Sequence, residues 1–162
     1  MKIIGLLTVV AAFAATSADA HRPRPRDCDR SLRHRDAETV LADHRAALAA
    51  GDWVAARCNY ADNAVVINDG GTTTGADNII ADLQFLASLF GGLIPVVTQE
   101  VVVSILNDRA EMARVLFSIE TQCIDIPDGV DTYVVKDGKI QAQTAHGFPV
   151  FKCGPPPGPP PA

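Results

Sequence analysis

Between Val130 and His146 the chain reads V-D-T-Y-V-V-K-D-G-K-I-Q-A-Q-T-A-H, bringing a carboxylate, a phenol and an imidazole into one short stretch. Two runs rich in β-branched and aromatic residues flank Asp137-Gly138, a dipeptide that accepts the positive φ angles of a tight I′ turn. The stretch is therefore expected to be a β-hairpin. With Asp137 and Gly138 as the loop, Val135 stands opposite Ile140, Tyr133 opposite Ala142 and Asp131 opposite Thr144. Strand alternation then places Asp131, Tyr133, Thr144 and His146 on one face with Val135, Ile140 and Ala142. A mostly apolar face carrying a few convergent polar groups is the pattern of a ligand pocket. Carboxyl and imidazole groups are also the side chains that most readily carry protons in such a pocket.

A second imidazole comes from the segment Ala37 to Ala50, A-E-T-V-L-A-D-H-R-A-A-L-A-A, which is rich in strong helix formers and has Asp36 available as N-cap. Val40, Leu41, Ala47 and Leu48 follow the three-four spacing of one buried stripe, and His44 falls within it. It is either a satisfied core histidine or a pocket residue looking inward. Asp43 and Arg45, on either side, are expected to face solvent.

The elements that must position these residues follow in order. Gly51 ends the first helix, and Asp52 caps a short second one from Trp53 to about Asn59 that doubles back. Tyr60 to Asn63 reads as a turn, Ala64 to Ile67 as a strand and Asn68-Asp69-Gly70-Gly71 as another turn. A third helix opens between Thr74 and Asp77, with Ile79, Ile80, Leu83, Leu86, Ala87 and Phe90 facing a sheet, and stops at Gly91-Gly92. Strands are expected from Val96 to Leu106 and from Glu111 to Cys123, with Ile124 to Gly129 linking them to the hairpin. Three helices with one early strand, then a four-stranded meander, give an α+β domain whose helices cover one face of a curved, mostly antiparallel sheet. Three helices cannot fill that face, which leaves room for a cone-shaped cavity.

The ends of the chain differ from the body. Lys2, the apolar run from Ile3 to Ala14 and Ala18-Asp19-Ala20 have the form of a signal peptide spanning 1–20, too short for a membrane span. Residues 21–36 form a basic arm with six arginines against three acids, expected to be flexible. Residues 37–152 are the domain, and 153–162 a proline-rich tail expected to be disordered. From residue 37 onward there are seven Lys and Arg against fifteen Asp and Glu. An acidic body excludes nucleic acid as the main partner. Export, to the periplasm or outside the cell, makes disulfides the expected state of Cys28, Cys58, Cys123 and Cys153; their wide spacing, with no C-x-x-C pair, argues against metal. The second helix returns Cys58 toward the side from which Cys28 arrives. The strands ending near Cys123 and Cys153 run in the same direction with one strand between them. Cys28 with Cys58 and Cys123 with Cys153 is therefore the expected pairing, with Cys28 to Cys153, stapling the two termini, as the alternative.

Three segments carry a family resemblance: A-G-D-W-x-x-A-R-x-N-Y-A-D-N-A-V-V-I from Ala50, G-A-D-N-I-I from Gly75 and G-V-D-T-Y-V-V-K-D-G-K-I from Gly129. Together they resemble the nuclear transport factor 2-like superfamily, which includes ketosteroid isomerase, scytalone dehydratase and SnoaL-type polyketide cyclases, over about residues 37–151. The resemblance implies an α+β cone with a deep pocket, often in a homodimer. It places Asp131 where the isomerases hold a protonated carboxylic acid that donates to the substrate oxyanion. The isomerase general base falls at Asn68, whose amide cannot abstract a proton, and the isomerase first-helix tyrosine at His44. Dehydratases of this fold pair histidine with aspartate, so His44, Asp131 and His146 form the implied acid-base set.

The expected protein is thus an exported SnoaL-like domain binding a small, largely apolar molecule, without cofactor or metal. If it is an enzyme, it catalyses isomerisation, dehydration or cyclisation by proton transfer, with His44 or His146 as base and Asp131 as acid or orienting group. Asn68, Tyr133, Thr144, Trp53 and Phe117 are the expected ligand contacts. The alternative is a non-catalytic binding or dimerisation module in which these residues only satisfy one another.

Overall fold

The computed structural model describes Cys28 and residues 30–154; the expected signal peptide, most of the basic arm and the tail beyond Gly154 lie outside the described residues. A 3-10 turn, Arg30–His34, leads into α1 (Ala37–Ala50) and α2 (Trp53–Cys58). Next come β1 (Tyr60–Asn68), β2 (Gly71–Thr74), α3 (Ala76–Leu89), β3 (Val96–Asn107), β4 (Ala110–Glu120), β5 (Ile124–Lys136), β6 (Lys139–His146) and β7 (Val150–Phe151). The Asp36 carboxylate accepts from the Thr39 N–H at 2.8 Å and opens α1. Gly51, left-handed at φ 65°, closes α1, and Asp52 caps α2 through the Ala55 N–H. The buried face of α1 is Ala37, Val40, Leu41, His44, Ala47 and Leu48, the stripe expected from the spacing.

The sheet runs β2-β1-β6-β5-β4-β3, with the short β7 paired to the start of β5. Every pairing is antiparallel except β1 with β6. Together with the three helices on one face of the open, curved sheet, this is the α+β cone expected from the sequence. Three local expectations fail. Tyr60 to Asn63 is not a turn but the opening of β1, because Tyr60 pairs beside Ile140 of β6 and is fully buried. Gly71 to Thr74 extends the expected Asn68–Gly71 turn into a hairpin, as β2. Ile124 to Gly129 is not a link but the first half of β5, held between β4 on one side and β7 on the other. In each case strand pairing overrides local turn residues: with distant β6 for Tyr60, with neighbouring β1 for Gly71 to Thr74, and with β4 and β7 for Ile124 to Gly129.

The hairpin itself turns at Asp137 (φ 50°) and Gly138 (φ 69°) as expected, and Val135 faces Ile140. One residue further the register slips: Val134 faces Ala142, Tyr133 faces Gln143 and Asp131 faces Ala145. Gln141 is an extra residue, a β-bulge, and it exchanges the two faces of β6 beyond it. Thr144 and His146 therefore stand on the face opposite Asp131 and are exposed, while Gln143 turns inward and is buried.

Cys28 bonds to Cys58 and Cys123 to Cys153, as the strand and helix directions predicted. Two disulfides suit an oxidising compartment, extracellular or periplasmic. The described end of the arm is docked rather than free. The Arg35 guanidinium donates to Asp43 at 2.6 Å, Asn59 at 2.7 Å and the Gly138 carbonyl at 2.9 Å. Any side chain at Gly138 would strike the Leu32 carbonyl, so the arm lies directly against the hairpin turn. No helix among the described residues is long and apolar enough to cross a membrane.

Candidate functional site

Between the helices and the inner face of the sheet lies a cavity of about 430 Å³. Leu41 and Leu48 of α1, Leu83 and Leu86 of α3, and Val115 and Phe117 of β4 form much of its wall. Phe117 lies over Gly129 of the neighbouring strand, where a Cβ would collide with its ring, so the absence of a side chain at 129 sets the position of that wall. A wider cleft of about 1360 Å³ runs between Arg33–Asp36 and the turns around Asp108 and Asp137. Its lining carries charges of both signs and lacks the apolar enclosure of a small-molecule site.

The polar end of the apolar cavity is one hydrogen-bonded chain. The Tyr133 hydroxyl donates to Asp131 Oδ2 at 2.7 Å, and the Gln143 amide donates to the same oxygen at 3.2 Å and to the Tyr133 oxygen at 3.3 Å. The Tyr60 hydroxyl donates to Gln143 Oε1 at 2.7 Å. That leaves only the Tyr60 oxygen to face His44 Nε2, 3.3 Å away, so Nε2 is the protonated nitrogen and Nδ1 carries the lone pair. The network fixes the tautomer of His44 and anchors one oxygen of Asp131. Two acceptors, His44 Nδ1 and Asp131 Oδ1, are shielded from solvent with no partner among the described residues.

Burial acts on these groups in opposite directions. It pushes the Asp131 carboxyl up to about 6, against the hydrogen bonds from Tyr133 and Gln143, which favour the charged form. It pushes His44 down to about 4, helped by the positive charge of Arg45, so His44 is a neutral imidazole at neutral pH. The Tyr60 and Tyr133 phenols are raised well above their ordinary value, chiefly by burial, and remain protonated donors. Of the expected acid-base groups in this network, only Asp131 titrates near physiological pH.

His44, Asp131, Tyr133 and Phe117 thus meet at one cavity, and Asn68 reaches its mouth. The Asn68 side chain accepts from the Gly70 N–H at 2.9 Å, so its amide is also a turn residue. His146 stands at the rim with Nδ1 2.9 Å from Asp69 and its ring edge-on to Phe148; no hydrogen bond joins it to the His44–Asp131 chain. Thr144 faces away because of the bulge, and Trp53 packs against the core from α2 without lining the cavity. Tyr60, Gln143 and Arg45 were absent from the sequence expectation. Tyr60 was concealed by the turn-like residues after it and Gln143 by the bulge. Arg45, placed toward solvent by helix spacing, lines the cavity beside His44.

Comparison with known proteins fits this geometry. Residues 41–143 match the family model described as SnoaL-like domain. Among solved structures, an NTF2-like protein of unknown function from Burkholderia xenovorans is 21% identical, with a TM-score of 0.54 over 72% of this chain and 86% of its own. A candidate scytalone dehydratase from Novosphingobium aromaticivorans is 15% identical, with a TM-score of 0.59 over 73% of this chain and 86% of its own. At such identities the likeness shows the fold alone. Among curated proteins, none matches the chain. The matched segment runs from Leu41 in α1 to Gln143 at the polar end of the cavity and so includes every residue of the His44–Asp131 network: the chain belongs to the SnoaL-like domain family.

Proposed function

We propose that the protein binds a small, largely apolar molecule in this cavity and moves a proton on it through Asp131. The observation that carries the reading is the asymmetry of that carboxyl: Oδ2 is held by two donors, while Oδ1 is buried, unpartnered and at an apolar cavity. A base whose affinity for protons lies near neutral pH, fixed by its own hydrogen bonds, is what abstraction and return of a proton requires. Isomerisation, dehydration and cyclisation all use that step. The expected assignment of His44 as base gives way to one in which Asp131 takes and returns the proton, and neutral His44 offers Nδ1 as a hydrogen-bond acceptor. His146, at the rim, guards access. The protein acts after export, its leader removed near residue 20. Val97, Ile105 and Leu106, all at least half exposed on the edge strand β3, suit cover by a second copy.

A non-catalytic binding module is the second reading, favoured by the extent to which Tyr60, Gln143, Tyr133 and Asp131 satisfy one another. Mass spectrometry of the protein purified from its native source would identify a retained molecule. With that molecule in hand, Asp131→Asn is expected to abolish turnover while retaining binding. Binding without any turnover in the wild type would establish the module instead.

A further inference from the structure

Three polar atoms at the cavity lack a partner among the described residues: His44 Nδ1, Asp131 Oδ1 and Arg45 Nη1. The first two accept hydrogen bonds, and the third belongs to a cation. Arg35, Arg57 and Arg114 are each paired with a carboxylate at 2.6 to 3.3 Å. Among the described residues no carboxylate lies within ion-pair distance of Arg45, although Asp131 lines the same cavity. A shielded guanidinium nitrogen with no acceptor is costly, and proteins keep one where an acceptor arrives from elsewhere. The guanidinium is charged at every physiological pH and offers a planar fork of donors whose best match is the two oxygens of a carboxylate. One such fork in a cavity of about 430 Å³ suits a single acidic head on an apolar body rather than a phosphate, which draws several cations.

Building on the small-molecule reading above, we infer that the ligand is a carboxylic acid: an apolar body within the leucine and phenylalanine walls, its carboxylate held by Arg45, with the reacting or donor group directed to Asp131 and His44. Arg45 is then the residue that sets specificity, and Asp131 the one that acts. Burial, helped by the positive charge of Arg45, keeps His44 neutral in the free cavity, so Nδ1 is available as an acceptor for the incoming ligand.

A matched pair of probes tests this: 2-naphthoate and 2-naphthamide, equal in shape and differing in charge, titrated calorimetrically at pH 8. The wild type is expected to bind the acid about tenfold or more tightly than the amide, the range of a charge-assisted hydrogen bond. Arg45→Gln should erase that preference by weakening the acid far more than the amide, while Arg45→Lys restores part of it. Equal affinities in the wild type would overturn the inference without touching the apolar-cavity reading, because the amide would still bind. A preference that survives Arg45→Gln would assign the acid to another cation and overturn it too. Failure of both probes to bind would remove the cavity reading and this inference together.

Discussion

Replacing Asp131 by Asn tests the electrostatics of the site through stability, without knowledge of the ligand. The carboxyl titrates at about 6 in the folded protein against an ordinary value of 3.8. At 1.36 kcal/mol per tenfold in proton affinity, ionised Asp131 destabilises the fold by about 3 kcal/mol, or roughly 2–3 kcal/mol after allowing for its partial contact with solvent. Below pH 3.8 both folded and unfolded chains are protonated and the penalty is absent. Between 3.8 and 6 the folded chain retains a proton that the unfolded chain has released, and the advantage of the protonated state is progressively lost; above 6 the full penalty applies. An Asn in the same rotamer keeps one oxygen to accept from Tyr133 and Gln143 and places its amide where Oδ1 stood. Other groups also titrate, including Asp36 and Asp125, whose carboxyls are held low chiefly by hydrogen bonds from Thr39 and Lys152. The difference between mutant and wild type cancels them. In urea unfolding from pH 3.5 to 7.5, Asp131→Asn should gain about 2–3 kcal/mol relative to wild type as pH rises, with most of the change between pH 4 and 6.5. Parallel stability curves would refute the buried, perturbed carboxyl.

Tyr60→Phe removes the donor to Gln143 Oε1 and the acceptor of His44 Nε2, leaving both buried; urea midpoints should show a loss of about 1–3 kcal/mol. Gly129→Ala should force the Phe117 ring out of place and alter the affinity for 2-naphthamide more than it alters stability, as calorimetry and urea unfolding on the same samples would show. Replacing Cys28 and Cys58 together by Ser opens a link across 30 residues and should cost about 3 kcal/mol in chemical unfolding while freeing the arm that Arg35 fastens.

The parts of the fold legible in the sequence are those set by local rules. The α1 stripe that buries His44, the caps at Asp36 and Asp52 and the Asp137-Gly138 turn each follow from neighbours within a few residues. Both disulfides were legible because element directions, once known, bring the right cysteines together. What was hidden depends on distant partners. Tyr60 enters the core because β1 pairs in parallel with β6, some eighty residues away, a contact no local pattern announces. The bulge at Gln141 shifts β6 by one residue, exchanging Thr144 for Gln143 at the site, although nothing in I-Q-A-Q-T distinguishes the two registers. His44 and Asp131 both line the cavity, one placed inward by helix spacing and one by strand alternation before the bulge. The connection between them, through Tyr60 and Gln143, required the fold.

The most direct test of a ligand cavity ending in Asp131 is a carbon-detected NMR titration of the Asp131 side-chain carboxyl, with and without 2-naphthamide. An inflection near pH 6 is expected in the free protein and a displaced curve when the probe is bound, with the resonances of Asp131, His44 and Phe117 perturbed together. An inflection near 4, the ordinary carboxyl range, or a probe that perturbs only residues outside the cavity, would contradict it.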